Sequence, residues 1–278
     1  IQHRSSYGLG EVIKAALDNH TEHLVISLGG IGSFDGGAGM LQALGARFYD
    51  DEAQIVDMRK GADLIKYIRR IDLSGVHPQL AKVNIQLMSD FSSRLYGKKS
   101  EIMQTYESLD LSQNEAAEID NLIWYFSELF KNELKIAMGP IERGGAGGGI
   151  AAVLNSLYQA EILTSHELVN QITHLENLIQ QADLIIFGEG LKEEDQILET
   201  TTIRIAELTQ QYNKPAIAIC ATNDKFDLFE SLNVTAMFNT FIDMPDSYTD
   251  FKMGIQIRHY TVQALKLLKT QINLPLSS

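Results

Sequence analysis

The amino-acid sequence predicts an α/β fold with two α/β domains, the C-terminal one Rossmann-like with a mainly parallel sheet. Three observations support this prediction. Short apolar runs alternate with segments whose apolar residues recur at helical spacing, which is typical of βα units. Glycine clusters stand directly before two of the predicted helices. A length of 278 residues is also long for a single hydrophobic core.

The domain boundary is predicted near residue 180, where strict alternation of strands and helices begins. Residues 1–180 then form a glycine-loop α/β domain, and residues 181–278 form the Rossmann-like domain. The chain opens without a methionine and almost directly with a helix, which is typical of the middle of a protein. We therefore expect an upstream segment, without which the Rossmann-like domain is incomplete.

The first domain opens with a helix over residues 7–20 and a buried strand over 23–30, the latter a β-branched run that ends in glycine. A capping box of Ser112 and Glu115 marks the start of a later helix. The other elements predicted for this domain are helices over 36–48, 63–75 and 166–182, a strand over 81–90, and a helix after the glycine cluster at 144–149.

In the second domain, apolar β-branched runs and amphipathic segments alternate without interruption, which predicts βα units. The predicted strands cover residues 183–190, 214–222 and 234–241, and the predicted helices cover 201–213, 227–233 and 250–272.

Composition limits the possible partners. The formal net charge of −13 makes nucleic-acid binding improbable, because an acidic chain repels a phosphate backbone. No run approaches the roughly 18 uncharged apolar residues that a membrane span needs, so no membrane partner is expected. The single cysteine, Cys220, fits a cytoplasmic location and is interpreted as a buried structural residue. Small anionic ligands stay possible, because backbone amides bind them without net positive charge.

A glycine-rich segment lies between the first strand and the next helix. Turns of this kind leave backbone amides unobstructed for an anionic ligand, or else serve tight turns and close packing. Asp35 either positions a substrate hydroxyl or a metal, or caps the helix that follows. The candidate substrate- or phosphate-binding residues here are Gly29, Gly30, Ser33, Gly36 and Gly37.

A second cluster, ERGGAGGGI, gives Arg143, Gly144 and Gly145 as further candidates, with packing and ligand binding equally open. Two carboxylates, Asp90 and Glu189, end predicted strands. Ligands of open α/β sheets collect beyond the carboxyl ends of strands, so both are candidate functional residues. The histidines form no zinc or triad pattern.

Several motifs, in this order, resemble the bacterial glycerate kinase family (the type I group): SSYGLGEVIKAAL, LGGIGSFDGGAGMLQALGARFYD, DLSGVHPQL, GGAGGGIAAVL, ADLIIFGEG and KPAIAICA. The resemblance covers nearly the whole chain. It implies ATP-dependent phosphorylation of D-glycerate or a related hydroxy acid, with Mg²⁺ and ATP as cofactors. It further implies an active site between two α/β domains, and an N-terminal segment that completes the Rossmann-like domain.

The resemblance also implies roles for particular residues. Asp35, Asp90 and Glu189 would be catalytic, with Asp90 and Glu189 as magnesium ligands, and Glu193 would contact substrate or phosphate. The partners would be a small hydroxy acid and a nucleotide, with homo-oligomerisation possible.

The chain departs from the family pattern at seven motif positions. Ile31, Phe34 and Ser92 stand where the family has Ser, Asn and Asp. After the GEG motif, Leu191, Glu193, Asp195 and Thr200 stand where the family has Arg, Asp, Gln and Lys. Two interpretations follow. The chain is an active kinase, or it is a catalytically impaired paralogue that acts as a binding or regulatory protein.

Overall fold

The structure is a computed structural model that describes residues 3–30, 32–189, 201–221, 226–240 and 250–271. The chain divides into two compact units, Ile1–Ser165 and His166–Ser278. These units differ from the domains proposed from the sequence only in the assignment of residues 166–180, and the functional domain boundary stays a prediction.

The described residues contain eight strands and ten α-helices. The strands are β1 (His23–Ser27), β2 (Arg47–Tyr49), β3 (Arg70–Asp72), β4 (Asn84–Met88), β5 (Glu161–Leu163), β6 (Ile185–Glu189), β7 (Ala216–Cys220) and β8 (Ala236–Asn239). The helices are α1 (Tyr7–Asp18), α2 (Ala38–Ala43), α3 (Glu101–Thr105), α4 (Gln113–Leu129), α5 (Ile150–Tyr158), α6 (Ser165–Thr173), α7 (Leu175–Gln181), α8 (Thr201–Gln211), α9 (Phe226–Ser231) and α10 (Asp250–Gln271).

The main sheet of the first unit is parallel, with strand order β1-β4-β5. Its register pairs Ser27 with Met88 and Met88 with Leu163, so the three strands end at the same edge. A separate antiparallel ribbon joins β2 to β3. The mixed α/β class with parallel sheets predicted from the sequence is confirmed.

Helix α1 packs on α2 at very short range. Gly10 lies in this contact, where an added Cβ would overlap the backbone of Met40. Below them, the rings of Phe48 and Phe126 meet edge to face with centroids 5.8 Å apart, and Phe126 meets Phe130 at 5.0 Å. These buried aromatics anchor the apolar stripe of α4, whose predicted capping box is confirmed.

Three helices predicted from periodicity were wrong in whole or in part. The helix expected over 36–48 covers only Ala38–Ala43, because Arg47 and Phe48 belong to strand β2 and pair with β3. The helix expected over 63–75 is a 3-10 turn over Ala62–Tyr67 followed by β3, because Ile68 is extended (ψ 130°) and Ile71 pairs with Phe48 across the ribbon. The single helix expected over 166–182 breaks at His174, which takes a left-handed conformation (φ 53°). The short strand β5 was not foreseen.

The second unit has a parallel sheet of order β6-β7-β8. All five residues of β7 are buried, including Cys220. Phe187 on β6 meets Phe229 on α9 edge to face at 5.4 Å between centroids. Within the described residues, no helix combines the length and the apolar character that a membrane span needs.

Candidate functional site

The carboxyl edge of the β1-β4-β5 sheet is the candidate functional site of the first unit. The N–H of Leu28 donates to the carbonyl of Met88 (2.9 Å), and the N–H of Ser89 donates to the carbonyl of Leu163 (2.8 Å). These bonds extend the sheet by one residue and bring three loops together just beyond it. The loop ends of parallel strands are where α/β proteins bind their ligands.

Asp90 follows the end of β4, where the sequence placed it, and it is exposed. Its Oδ1 accepts a hydrogen bond from the backbone N–H of Ser165 (2.6 Å), which fixes the direction of the carboxylate. Its Oδ2 has no hydrogen-bond partner among the described residues. One oxygen is therefore available to a cation or to a substrate hydroxyl.

Gly29 and Gly30 form an exposed turn directly after β1. In the part of the chain that the structure describes, their N–H groups donate to no other residue. A Cβ added at either glycine would meet nothing within 4 Å, so the space above the turn is open. The amides of this exposed turn are therefore unoccupied within the described residues, and their assignment to substrate or phosphate stays a prediction.

Asp35 is completely buried, unlike Asp90. Its Oδ1 accepts the N–H of Gly37 (3.0 Å), and its Oδ2 accepts the N–H of Gly39 (3.1 Å) and both the N–H (2.8 Å) and the hydroxyl (2.9 Å) of Ser6. Burial raises the pKa of the Asp35 carboxyl, and the donors from Ser6, Gly39 and Gly37 offset part of that rise. Of the two roles left open for Asp35, this geometry matches the helix cap.

The glycines around Asp35 use their amides internally. The N–H of Gly36 donates to the carbonyl of Gly148 (3.0 Å), and the N–H of Gly37 goes to Asp35 as above. Both glycines have positive φ, 61° and 79°, which makes the chain turn sharply into α2. Their glycine character is thus explained by turn geometry and close packing in this structure.

The second glycine segment, residues 143–149, is also occupied by the protein itself. The N–H of Gly144 donates to the carbonyl of Ile141 (3.2 Å), and the N–H of Gly145 donates to the carbonyl of Ser93 (3.3 Å). The N–H of Gly148 donates to the Glu101 carboxylate (3.1 Å). Arg143 precedes this segment in a left-handed conformation (φ 55°) and also makes interactions within the protein.

Glu101 was not among the residues predicted from the sequence. It is partly buried at the start of α3 and accepts N–H groups from Gly147 and Gly148. Burial raises its pKa to about 7, although these two N–H donors act in the opposite direction. An acidic residue after Ser100 is typical of a helix first turn, so the sequence gave no sign that this one points into the glycine segment.

Among the residues that the structure describes, the buried hydroxyls of Ser33 and Ser93 find no hydrogen-bond partner. Of these two residues, only Ser33 was a candidate site residue in the sequence analysis. Its carbonyl would overlap a Cβ at Gly148, which shows how tightly the two glycine segments meet. Unsatisfied buried polar groups are uncommon in folded proteins, and strain, a bound water or ion, or a catalytic role can each account for them.

The remaining predicted residues belong to the second unit. Glu189 is the last residue of β6, paired in register with Cys220, but its side chain lies outside the described part of the structure. Glu193 also lies outside the described residues. Gly29, Gly30 and Asp90 thus follow the paired ends of β1 and β4, while Ser33 is buried against Gly148.

Comparison with known proteins identifies the family. Residues 1–256 match the model of the Glycerate kinase family. The chain belongs to the glycerate kinase family. It is 32% identical over 218 residues to a glycerate kinase of Halalkalibacterium halodurans, an alignment that covers 78% of this chain and 57% of the relative. It is 29% identical over 236 residues to a glycerate 2-kinase of Escherichia coli K12, covering 84% and 61% of the two chains.

Among solved structures, a protein named as glycerate kinase 2 of Salmonella typhimurium LT2 superposes with a TM-score of 0.80 at 27% identity. This match covers 99% of the present chain and 72% of the Salmonella chain. The fold is therefore that of a glycerate kinase, as the sequence resemblance implied. The present chain spans about three fifths of the length of the two glycerate kinases above.

Proposed function

We propose that this glycerate kinase family member transfers a phosphoryl group from ATP to D-glycerate or a related hydroxy acid. The observation that supports the proposal is the family match over residues 1–256, together with relatives named as glycerate kinases. The carboxyl edge of the first sheet supplies groups suited to this chemistry: an exposed carboxylate, free backbone amides and an open turn.

Asp90 is the residue we assign to magnesium or to the acceptor hydroxyl. Mg²⁺ is commonly bound by one or two carboxylates together with substrate phosphates and water, rather than by a cage of protein ligands. No three His, Cys, Asp or Glu side chains cluster as metal ligands within the described residues. Asp90, with one oxygen fixed and the other available, fits a magnesium ion that arrives with the nucleotide.

Asp35 enters the proposal as a positioning residue. Its carboxylate is buried and both of its oxygens accept hydrogen bonds from the protein, so in this structure neither oxygen faces a substrate. It instead fixes the start of α2 and the residues that precede α1. The exposed turn and Asp90 then carry the direct contacts, while Glu189 and Glu193 stay candidates from the second unit.

The test is a coupled assay of ADP release with Mg-ATP and D-glycerate, on the intact protein, with the phosphorylated product identified by mass spectrometry. Asp90→Asn is expected to lower kcat/KM by about 100-fold or more, because a ligand of the charge-neutralising metal is lost. The matched control is Asp51→Asn, which neutralises an exposed carboxylate in the turn between β2 and β3. It should leave turnover unchanged.

Absence of ADP release with D-glycerate and with related hydroxy acids would overturn the proposed kinase activity. If D-glycerate raised the unfolding temperature without any turnover, the binding-protein interpretation would replace it. No observation on the described residues favours that second interpretation over the kinase.

A further inference from the structure

We propose that Glu101 is a positioning residue for phosphoryl transfer: it holds the second glycine segment, and through that segment the two loops that carry Asp90 and the exposed turn. The reaction it serves is the proposed function, on which this inference rests. Glu101 acts through the backbone of the glycine segment and not by contact with a substrate.

The start of α3, where Glu101 lies, is fixed by a carboxylate of α4. Asp120 accepts the N–H of Gly97 (2.8 Å) and the hydroxyl of Ser100 (2.5 Å). Ser100 is the N-cap of α3 and directly precedes Glu101. These bonds therefore set the point from which the Glu101 side chain extends.

The carboxylate of Glu101 bonds to the backbone of the second glycine segment. It accepts the N–H of Gly148 (3.1 Å) and that of Gly147. Both glycines have positive φ, 62° and 64°, and successive N–H groups in turns of this kind face a common anion. Glu101 thus fixes a stretch of backbone whose glycines have no side chains to anchor it.

The segment fixed in this way contacts the loop that follows β1. The carbonyl of Gly148 accepts the N–H of Gly36 (3.0 Å). A Cβ added at Gly147 would lie 3.1 Å from the side chain of Leu28, the residue directly before the exposed turn. A shift of the segment would therefore reach the exposed turn through Leu28.

The same segment contacts the loop that follows β4, three residues beyond Asp90. The N–H of Gly145 donates to the carbonyl of Ser93 (3.3 Å), and a Cβ at Gly145 would overlap the carbonyl of Arg94. Backbone packed this closely has almost no free volume, so the segment and the loop move together. Glu101 is in this way linked to the position of Asp90.

Protonation of Glu101 changes how firmly the segment is held. Burial raises its pKa to about 7, while the N–H groups of Gly148 and Gly147 act in the opposite direction. Ionisation therefore favours any opening that lets water reach the carboxylate. Glutamine at this position would accept the same N–H groups and would not titrate.

Other charged groups lie on the elements around Glu101, and the test must cancel their titration. Burial also raises the pKa of Asp35 and of Asp120. Comparison of the wild type with Glu101→Gln cancels these groups, because both proteins carry them. The remaining charged residues on the surrounding loops are Asp90, Arg94, Lys98, Lys99 and Arg143.

The first experiment measures kcat for ADP release at pH 6 with saturating Mg-ATP and D-glycerate. Glu101→Leu leaves two buried N–H donors without their acceptor and should lower kcat by about 10- to 100-fold, because small displacements of reacting groups are costly. Glu101→Gln retains an acceptor and should keep most of the wild-type kcat. Equal kcat in the wild type and Glu101→Leu would overturn the inference.

Two controls and a pH profile separate positioning from loss of stability. Ile71→Val, at a buried residue of β3, destabilises the fold modestly, and Glu118→Gln changes an exposed residue of α4; both should retain the wild-type kcat. The ratio of kcat between the wild type and Glu101→Gln should fall as pH rises through about 7. A constant ratio, or a loss of kcat in Ile71→Val as large as in Glu101→Leu, would contradict the positioning role.

Amide hydrogen exchange tests the same contact without turnover. Protection of residues 143–149 in the wild type, relative to Glu101→Gln, should fall by about 50- to 100-fold between pH 5 and pH 8, because ionisation favours the open segment. Protection that changes equally in both proteins would show that Glu101 does not hold the segment.

These results are distinguishable from failure of the proposed function. If the wild type phosphorylates D-glycerate while Glu101→Leu and Glu101→Gln match it in kcat and in exchange, the positioning role is wrong and the kinase assignment stands. If no phosphate is transferred but exchange depends on Glu101 as expected, the kinase assignment fails and the hold of Glu101 on the glycine segment stands.

Discussion

Two glycine-containing stretches of the first unit, the exposed turn of Gly29 and Gly30 and the second glycine segment at residues 143–149, differ in how their backbone amides are used. In the exposed turn, Gly29 and Gly30 have open space above them and amides without partners in the described structure. In the second segment, the amides of Gly144, Gly145 and Gly148 donate to groups of the protein itself. A cluster of glycines therefore does not by itself indicate a ligand site.

The physical difference lies in what approaches each backbone from elsewhere in the chain. The second segment packs against the loop before α2 so closely that a Cβ at Gly148 would overlap the carbonyl of Ser33. The carboxylate of Glu101 then occupies amides that an anion would otherwise use. At the exposed turn, a Cβ at Gly29 or Gly30 would meet no atom within 4 Å, so no group of the described structure fills that space.

The largest effect on stability is expected for Asp35→Asn, which would disrupt the buried hydrogen bonds around Asp35. The amide nitrogen of Asn would face backbone N–H donors of Gly37 or Gly39, and donors would be left unsatisfied. We expect a loss of about 3 kcal/mol in the free energy of unfolding, or about 6 to 12 °C in Tm. The measurement is urea and thermal denaturation.

The control for Asp35→Asn is Asp51→Asn, which changes an exposed carboxylate. The free energy of unfolding of this control should stay within about 0.5 kcal/mol of the wild-type value. Equal stability of the two variants would mean that the contacts of Asp35 do not stabilise the fold.

The same substitution in the two segments gives the most direct test. Gly148→Ala should lower the free energy of unfolding by about 2 to 3 kcal/mol, because the added methyl group overlaps the Ser33 backbone and residue 148 has a φ of +62°. Gly29→Ala should change the free energy of unfolding by less than about 0.5 kcal/mol, since its methyl group meets nothing within 4 Å. Similar destabilisation by both would show that the two segments are equally packed.

Glu101 makes the second segment sensitive to pH. Its pKa is about 7 in the folded chain against 4.5 as the reference value, so between these values the unfolded chain has lost the proton that the folded chain retains. The contribution of Glu101 to stability should therefore fall as pH rises through this window and level off above it. Glu101→Gln does not titrate at this position, and its free energy of unfolding relative to the wild type should rise by about 3 kcal/mol between pH 4.5 and pH 8.

The control for Glu101 is Glu118→Gln, at an exposed residue of α4. Its stability difference from the wild type should be the same at both ends of the pH range. If the stability difference between Glu101→Gln and the wild type did not change with pH, solvent would reach the Glu101 carboxylate in the folded protein.

The smallest effect is expected for the stability of Arg4→Met. Because the guanidinium is exposed and makes no hydrogen bond or ion pair in the described residues, its removal should change the free energy of unfolding by less than about 0.5 kcal/mol. Chemical denaturation without ligands measures this change. A decrease of more than about 1 kcal/mol in the free energy of unfolding would show that the Arg4 side chain stabilises the fold.

Local sequence signals predicted much of the architecture. Apolar runs stopped by glycine or a carboxylate located β1 and β4, and the pair Ser112 and Glu115 located the start of α4. These signals succeed because strands, caps and glycine turns depend on residues close together in the chain. The prediction failed at residues 63–75, where pairing of Ile71 with the distant Phe48 overrides helical spacing.

The sequence by itself determined the α/β class, the order of most elements, the positions of the glycine segments and the resemblance to glycerate kinases. Only the tertiary structure decided that Asp35 is a buried cap while Asp90 is exposed, and that Glu101 and Arg4 lie beside different glycine segments. The reason is that a backbone amide or a carboxylate becomes free or occupied through partners far away in the chain. In this protein the partner of Asp35 is Ser6, 29 residues away, and that of Gly148 is Glu101, 47 residues away.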